Sequence, residues 1–292
     1  MTPPKRDLDE LLGAHVSTQG GIQTAPGRGL AIGATAIQVF TKTPSQWKEP
    51  ALSAETVREF RHCLNASQLR TVVSHDSYLI NLASPDQGLS QRSRRSFIAE
   101  LGRCRALGIP LVVSHPGNYM TDRNRGIRRN ARQYTDCLRK VPGEVRLLIE
   151  GTAGTGTALG SSFEELAELR DAIAGDVRDR VGFCADTCHL YSAGYDLVGD
   201  YDSVWERWDA VIGLRHLGCL HLNDSKTPFA SHRDRHELIA EGSLGSEPFR
   251  RIMRDPRFRN IPKILETPKG DDMVSNDRRM LRRLRGYARK PA

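Results

Sequence analysis

The chain has 292 residues, with 43 lysines and arginines against 35 acidic residues, a formal charge of +8 and 38% hydrophobic residues. No stretch approaches the ~18 apolar residues of a membrane span and the N-terminus carries no apolar leader-like run, so neither a membrane-spanning nor a secreted chain is expected and a soluble cytoplasmic protein is. No repeat or low-complexity linker divides it, and its basic balance favours polyanionic partners such as nucleic acid.

Short β-branched or leucine-rich runs, each closed by glycine, proline or a polar turn, recur along the sequence and read as buried strands. In chain order they are LLGAHVS around His15, AIQVF at Phe40, TVVSHD around His75 and LVVSHPG around His115. VRLLIEG then ends at Glu150, VGFCADTCH at Asp186, GCLHLND at His221 and KILETP at Glu266. Helical patterns fill the intervals. SQRSRRSFIAELGRCRALGIP is expected to start at a Ser90 cap and stop at Gly108, ahead of a strand after Pro110. SSFEELAELRDAIAG pairs Ser162 with Glu165 as a capping box, places Leu166, Leu169 and Ile173 on one face, and is expected to stop at Gly175. Eight alternations of strand and helix predict an α/β fold, a single (β/α)8 TIM barrel with long βα loops at the C-terminal face of the strands. One domain over 1–292 is expected, with its core at about 10–290 and a basic C-terminal segment at 278–292.

In such barrels the chemistry sits where strands end. That rule gathers His75, His115, Glu150, Asp186, His189, His221, Asp234, His236 and Glu266 into one cluster, because nearly all of them close an apolar run. Side-chain alternation adds that Gly182 and Cys184 share the inward face with Asp186, Cys219 with His221 and Ile264 with Glu266, while Phe183 and Ala185 face the helices. Any one of these histidines alone reads as a hydrogen-bonded core group, as His62, His216 and His232 are taken to be; six strand ends carrying ligand-type residues do not. Imidazole with carboxylate favours zinc, manganese or iron over calcium. Nine such groups suffice for two or three ions, and ions about 3.5 to 4 Å apart stabilise the attacking and departing oxygens of a phosphoryl displacement.

The six cysteines, Cys63, Cys104, Cys137, Cys184, Cys188 and Cys219, form no CxxC pair and are expected as reduced thiols. Arginines cluster at Arg123, Arg125, Arg128, Arg129 and Arg132, and again from Arg278 to Arg289, where no acid interrupts them. Either run reads equally as a nucleic-acid surface or as a solvated helix face.

Gly13-Ala-His-Val-Ser17, His75-Asp-Ser-Tyr-Leu-Ile-Asn-Leu82, His115-Pro-Gly117, Asp186-Thr-Cys-His189, Ala193-Gly-Tyr-Asp196, His221-Leu-Asn-Asp224, Asp234-Arg-His236 and Leu265-Glu-Thr267 resemble, in order, the motifs of the endonuclease IV family. That family comprises zinc-dependent apurinic/apyrimidinic (AP) endonucleases. The resemblance implies three zinc ions per chain, with manganese an option at one site. His75, His115 and Glu150 would hold the first ion; Glu150, Asp186, His221 and Glu266 the second; His189, Asp234 and His236 the third. It implies hydrolysis of the phosphodiester 5′ to an abasic site, leaving a 3′-hydroxyl and a 5′-deoxyribose phosphate, with Glu150 and Glu266 catalytic. A companion removal of 3′-phosphate and related 3′ blocks is also implied. The partner would be double-stranded DNA with abasic sites or blocked 3′ ends, and the enzyme a monomer acting on the bacterial nucleoid. Gln46, Tyr78 and Leu79 match the family's DNA-wedge residues. The chain departs at Ser45, where the family often has arginine, at Gly151, where asparagine is common, and at Ala240, where glycine is frequent.

Two other readings compete. A sugar isomerase or epimerase on the same barrel would need only Glu150, Asp186, His221 and Glu266 for one metal, leaving the other five groups idle. A DNA-damage binding protein with structural metal would be expected to use cysteine ligands, which this set lacks.

Overall fold

The structure is a computed structural model describing residues 10–289. Eight parallel strands close into a barrel: β1 (Leu12–His15), β2 (Ala36–Phe40), β3 (Thr71–His75), β4 (Leu111–Ser114), β5 (Arg146–Glu150), β6 (Val181–Asp186), β7 (Leu217–His221) and β10 (Lys263–Leu265). Each neighbours the next in sequence, and β10 returns to β1 through Leu12 opposite Lys263. A two-stranded ladder, β8 (Asp224–Ser225) with β9 (His236–Glu237), rises above the β7 end; no strand signal marks residues this short.

Helices α1 (Ala25–Ile32), α2 (Ala54–Asn65), α3 (Gln87–Leu107), α4 (Arg123–Lys140), α5 (Phe163–Asp171), α6 (Gly175–Arg178), α7 (Thr187–Ser192), α8 (Tyr201–Val211), α9 (Glu247–Arg254) and α10 (Met273–Ala288) follow the strands. Six of them begin at a serine or aspartate whose side chain accepts a first-turn amide: Ser53, Asp86, Asp122, Ser162, Asp186 and Asp272. Two expected boundaries move. Asp86, not Ser90, caps α3, because its carboxylate takes the Leu89 amide at 2.6 Å; Ser90 lies inside the first turn. Gly108 does end α3 in the left-handed conformation, at φ 78. Helix α5 ends at Asp171, and Gly175 opens α6 instead of stopping α5, yet Leu166, Leu169 and Ile173 are buried as their spacing requires.

Two apolar layers result. The outer one, between strands and helices, contains Phe97, Phe163, Phe183, Trp205, Trp208, Phe249 and Phe258. The inner one fills the barrel with Ala36, Val73, Val113, Leu148, Cys184, Cys219 and Ile264, a single residue from each of seven strands. On the eighth strand the matching residue is Gly13, where an added Cβ would lie 1.6 Å from the Ala36 carbonyl oxygen. Glycine is required there by close backbone approach.

Much of the arginine excess is structural. Arg123 pairs with Glu165 and Glu168, and Arg129 bonds the carbonyls of Ala83 and Tyr119. On α10, Arg278 and Arg285 donate to the carbonyls of Ala31 and Gly33, and Arg279 and Arg283 reach Glu241. These side chains dock helices onto the barrel, a use that neither reading of the arginine runs anticipates; of the basic C-terminal segment, 290–292 lie outside the described residues. No helix among the described residues is long and apolar enough to cross a membrane.

Candidate metal centre

Two residues beyond each member of the inner apolar layer, on the same face, stands a polar group. Ala36 is followed by Gln38, Val73 by His75, Val113 by His115, Leu148 by Glu150, Cys184 by Asp186, Cys219 by His221 and Ile264 by Glu266. The period of two along a strand turns both residues inward, one pleat apart. The remaining candidates come from loops: His189 from α7, Asp234 from the polar loop and His236 from β9.

Glu150, fully buried, lies at the centre. Its Oε2 is 3.0 Å from His75 Nε2 and 3.3 Å from His115 Nε2, and its Oε1 is 2.9 Å from His221 Nδ1 and 3.5 Å from His189 Nδ1. Glu266 Oε2 lies 3.2 Å from His221 Nδ1, and Asp186 Oδ2 lies 3.9 Å from the same nitrogen and 3.5 Å from His236 Nε2. Asp234 sits between His189 Nε2 at 3.2 Å and His236 Nε2 at 3.1 Å. Within the nine, potential ligand atoms fall within 4.8 Å of one another in three groups: His75, His115 and Glu150; Glu150, Asp186, His221 and Glu266; His189, Asp234 and His236. All nine sequence candidates are gathered, and Glu150 is shared.

Charge is paired throughout. Burial works against ionisation of Glu150, but the imidazoles of His115 and His221 outweigh it and hold the carboxyl well below its usual range. Burial opposes ionisation of Glu266 too, and His221 and His15 overcome it. Asp234 is held far down against burial by His189 and His236. In turn, burial depresses His75, while its bond to Glu150 and that charge lift it to about 9. His236 rises to about 9 against burial through Asp186 and Asp234.

The donor set fits divalent ions on a specific observation. His189 Nδ1 donates to the Gly151 carbonyl at 2.8 Å, His221 Nε2 to Gln38 Oε1 at 2.8 Å and His236 Nδ1 to the Glu266 carbonyl at 3.3 Å, while His75 Nδ1 faces the Asp76 carbonyl at 3.0 Å. Each ring thus spends one nitrogen on an orienting acceptor and turns the other toward carboxylates, the arrangement of ligating histidines. His189 Nε2 and His236 Nε2 are moreover buried without a hydrogen-bond partner, since their approaches to Asp234 are close but misaligned. A shared cation would satisfy them.

Sequence reading missed the residues that hold this set in place. Gln38 bridges Glu266 Oε1 at 2.5 Å and His221; Asn223 donates to Asp186 Oδ2 at 2.6 Å and accepts the Glu266 amide at 2.8 Å; His15 Nδ1 lies 3.7 Å from Glu266. His15 was findable, because it closes a strand run at the inward position, whereas Gln38 lies in the middle of its run, which ends at Phe40. At Gly151 a Cβ would meet only ordinary contacts, so the departure there leaves space, and its carbonyl still orients His189.

Around the mouth, Tyr78 is 69% exposed with its ring 5.1 Å from that of Phe40, Leu79 is half-buried and Gln46 is exposed. The two loops bearing them are tied by Ser77 Oγ donating to the Pro44 carbonyl, and Lys42 Nζ donates to the Gln46 carbonyl at 2.7 Å. A cleft of about 690 Å³ runs from Tyr78 past His115 and His189 to Arg233 and Arg235. Met120 and Phe229, not anticipated, also stand exposed, at 58% and 43%.

The family profile described as a xylose isomerase-like TIM barrel matches residues 29–284. A curated relative, "Probable endonuclease 4" of Geobacter sulfurreducens, is 45% identical over 270 residues, covering 91% of this chain and 90% of its own. The crystal structure of endonuclease IV from Thermus thermophilus superposes with a TM-score of 0.84 at 34% identity, covering 94% of this chain and 98% of that one. A D-tagatose 3-epimerase-like protein shares the fold alone, with a TM-score of 0.67 at 14% identity over 94% of this chain and 98% of that one.

Proposed function

The chain belongs to the endonuclease IV family, and from that membership we propose that it is a DNA repair nuclease hydrolysing the phosphodiester 5′ to abasic sites with three zinc ions, manganese serving as an alternative at one. The observation that carries the reading is the gathering of nine imidazole and carboxylate groups into three sets around Glu150. Only the set of Glu150, Asp186, His221 and Glu266 would be needed by a one-metal isomerase; the other two sets, with five further ligands, weigh against that alternative.

His75, His115 and Glu150 would hold one ion, Glu150, Asp186, His221 and Glu266 a second, and His189, Asp234 and His236 a third. Divalent ions there, when bound, supply Lewis-acid charge for in-line displacement at phosphorus. The protein's own part is orientation. Glu150, wholly buried, fixes the spacing of the first two sets. Glu266 is 19% exposed at the mouth and held ionised, so its Oε2 would accept a hydrogen bond from the attacking water and orient it. Gln38 and Asn223 keep that carboxylate and the His221 ring in register.

Tyr78, Leu79 and Gln46 stand where a kinked duplex would meet the rim, and unstacking costs least at a missing base. Exposed Arg233 and Arg235 flank the cleft and would contact phosphates. With Ser45 exposed in place of a longer basic residue, exposed Met120 and Phe229 are the apolar groups available to complete the wedge. The same site would remove 3′-phosphate and phosphodiester blocks, where the same P–O3′ bond breaks and the 3′-oxygen again leaves, with a smaller group on phosphorus.

The test is nicking of a duplex with one abasic analogue, compared with an undamaged duplex and a 3′-phosphate end, with and without chelator. Cleavage 5′ to the lesion, lost on chelation and restored by zinc, is expected; chelator-resistant nicking, or none in metal-loaded protein, would overturn the reading.

A further inference from the structure

One pleat beneath the centre, the barrel interior contains a second kind of donor. Cys184 on β6 and Cys219 on β7 are register partners across adjacent strands, both fully buried and both turned into the barrel. Each stands two residues below a carboxylate or imidazole of the crown, Asp186 and His221. One ligand atom from each of Cys184, Cys219 and His221 lies within 4.8 Å of the others. Three donors around one ion at bonds of about 2.3 Å stand at most about 4.0 Å apart, so the three groups can meet on one cation after closing by up to about 1 Å. None of the surrounding residues of that layer, Ala36, Val73, Val113, Leu148 and Ile264, offers a competing polar atom or charge.

Thiolates select soft cations, whereas the carboxylate-rich sets above suit harder ones. We propose that Cys184, Cys219 and His221 form a separate thiophilic cation site in the barrel floor, taking ions such as Cd²⁺ or Cu⁺, and that filling it disables the centre above because His221 belongs to both. The chemistry is ligand exchange without electron transfer. A divalent ion displaces the protons of two thiols, giving a dithiolate complex and two protons released to solvent, and the imidazole adds as a neutral donor. His221 cannot turn toward the sulfurs and keep its contacts to Glu150, Glu266 and Gln38 unchanged, at 2.9, 3.2 and 2.8 Å. Inhibition therefore arises from loss of a shared ligand.

The experiment is titration of the zinc-loaded full chain with Cd²⁺, read by thiolate-to-cadmium ultraviolet absorption, by elemental analysis and by nicking. Thiolate absorption saturating near one equivalent is expected, with nicking falling at least about tenfold in step with it. Cys219→Ala, Cys219→Ser and Cys184→Ala should each abolish the absorption and raise the Cd²⁺ needed for half-inhibition at least about tenfold. The serine variant keeps the volume of the floor should alanine destabilise it, and circular dichroism confirms folding. Cys188→Ala, which removes the thiol beside Asp186 and His236, should change nothing in the absorption. The proposal is overturned by absorption that survives loss of Cys184 or Cys219, by absorption lost with Cys188, or by Cd²⁺ inhibition with no thiolate signal. The absorption readout needs no nuclease activity, so it stands apart from the functional assignment.

Discussion

The crown and the floor of this barrel are built from the same strands, face the same way and lie two residues apart, yet they are opposites. The floor, Ala36, Val73, Val113, Leu148, Cys184, Cys219 and Ile264, is buried and, its two thiols apart, apolar, and its contribution to the fold is packing. The crown, Gln38, His75, His115, Glu150, Asp186, His221 and Glu266, carries charges whose desolvation is offset only by one another and, as proposed, by cations. One pleat period therefore separates groups that stabilise the fold from groups that cost stability and serve chemistry. A strand in a barrel can hold both without compromise, since alternation keeps every second residue out of the interior.

The sharpest way to break that contrast is to exchange roles one strand at a time. Glu150→Gln keeps the shape of the crown but removes the shared charge, and nicking is expected to fall by at least about 10³-fold, followed on purified metal-loaded protein. Leu148→Ala, two residues below on the same strand, should instead lower unfolding free energy by about 2–5 kcal/mol while the folded fraction cleaves at near the parental rate, as denaturant melts and nicking together would report. If Leu148→Ala cost activity as heavily as Glu150→Gln, the two layers would not be separable.

A buried charge at the base supplies the pH test. Burial pushes the ammonium of Lys263 down to about 8, although it donates to the Phe258 and Ile261 carbonyls. Between pH 8 and the unfolded value near 10.5 the unfolded chain binds more protons than the folded one, so this lysine makes stability rise with pH across that window. The rise amounts to about 3 kcal/mol, and the cost is present in full below pH 8. Lys263→Met should remove that part of the slope, measured as the difference between the two proteins' unfolding free energies at pH 7 and pH 10; parallel profiles would contradict the assignment.

The smallest effect lies at Ala240, held at φ 61 beside the turn capped by Asp224. A left-handed alanine costs roughly 1–2 kcal/mol, so Ala240→Gly should stabilise by up to about 1 kcal/mol after the entropy of glycine is counted, visible as a rise in Tm.

Strand ends were legible because a buried apolar run that stops at a histidine or carboxylate has few structural reasons to do so; all nine candidates converge. The supporting groups were less legible. Gln38 and Asn223 are neutral amides that advertise no chemistry, and their value lies in partners far along the chain, Glu266 and Asp186. Asp86 displaced Ser90 as the α3 cap because two residues in one stretch can accept the same kind of amide, and only tertiary packing selects between them. The docking role of some arginines was illegible for a related reason: charge says nothing of which carbonyl a guanidinium meets, and Arg278 and Arg285 meet those of Ala31 and Gly33.

The account rests most directly on the crown holding three cations with Glu150 in common. Elemental analysis of the folded, zinc-loaded chain beside His236→Ala is the measurement, since His236 belongs to only one of the three sets. About three ions per chain, falling by about one in the variant, is the predicted result. A single ion per chain, unchanged by His236→Ala, would contradict it.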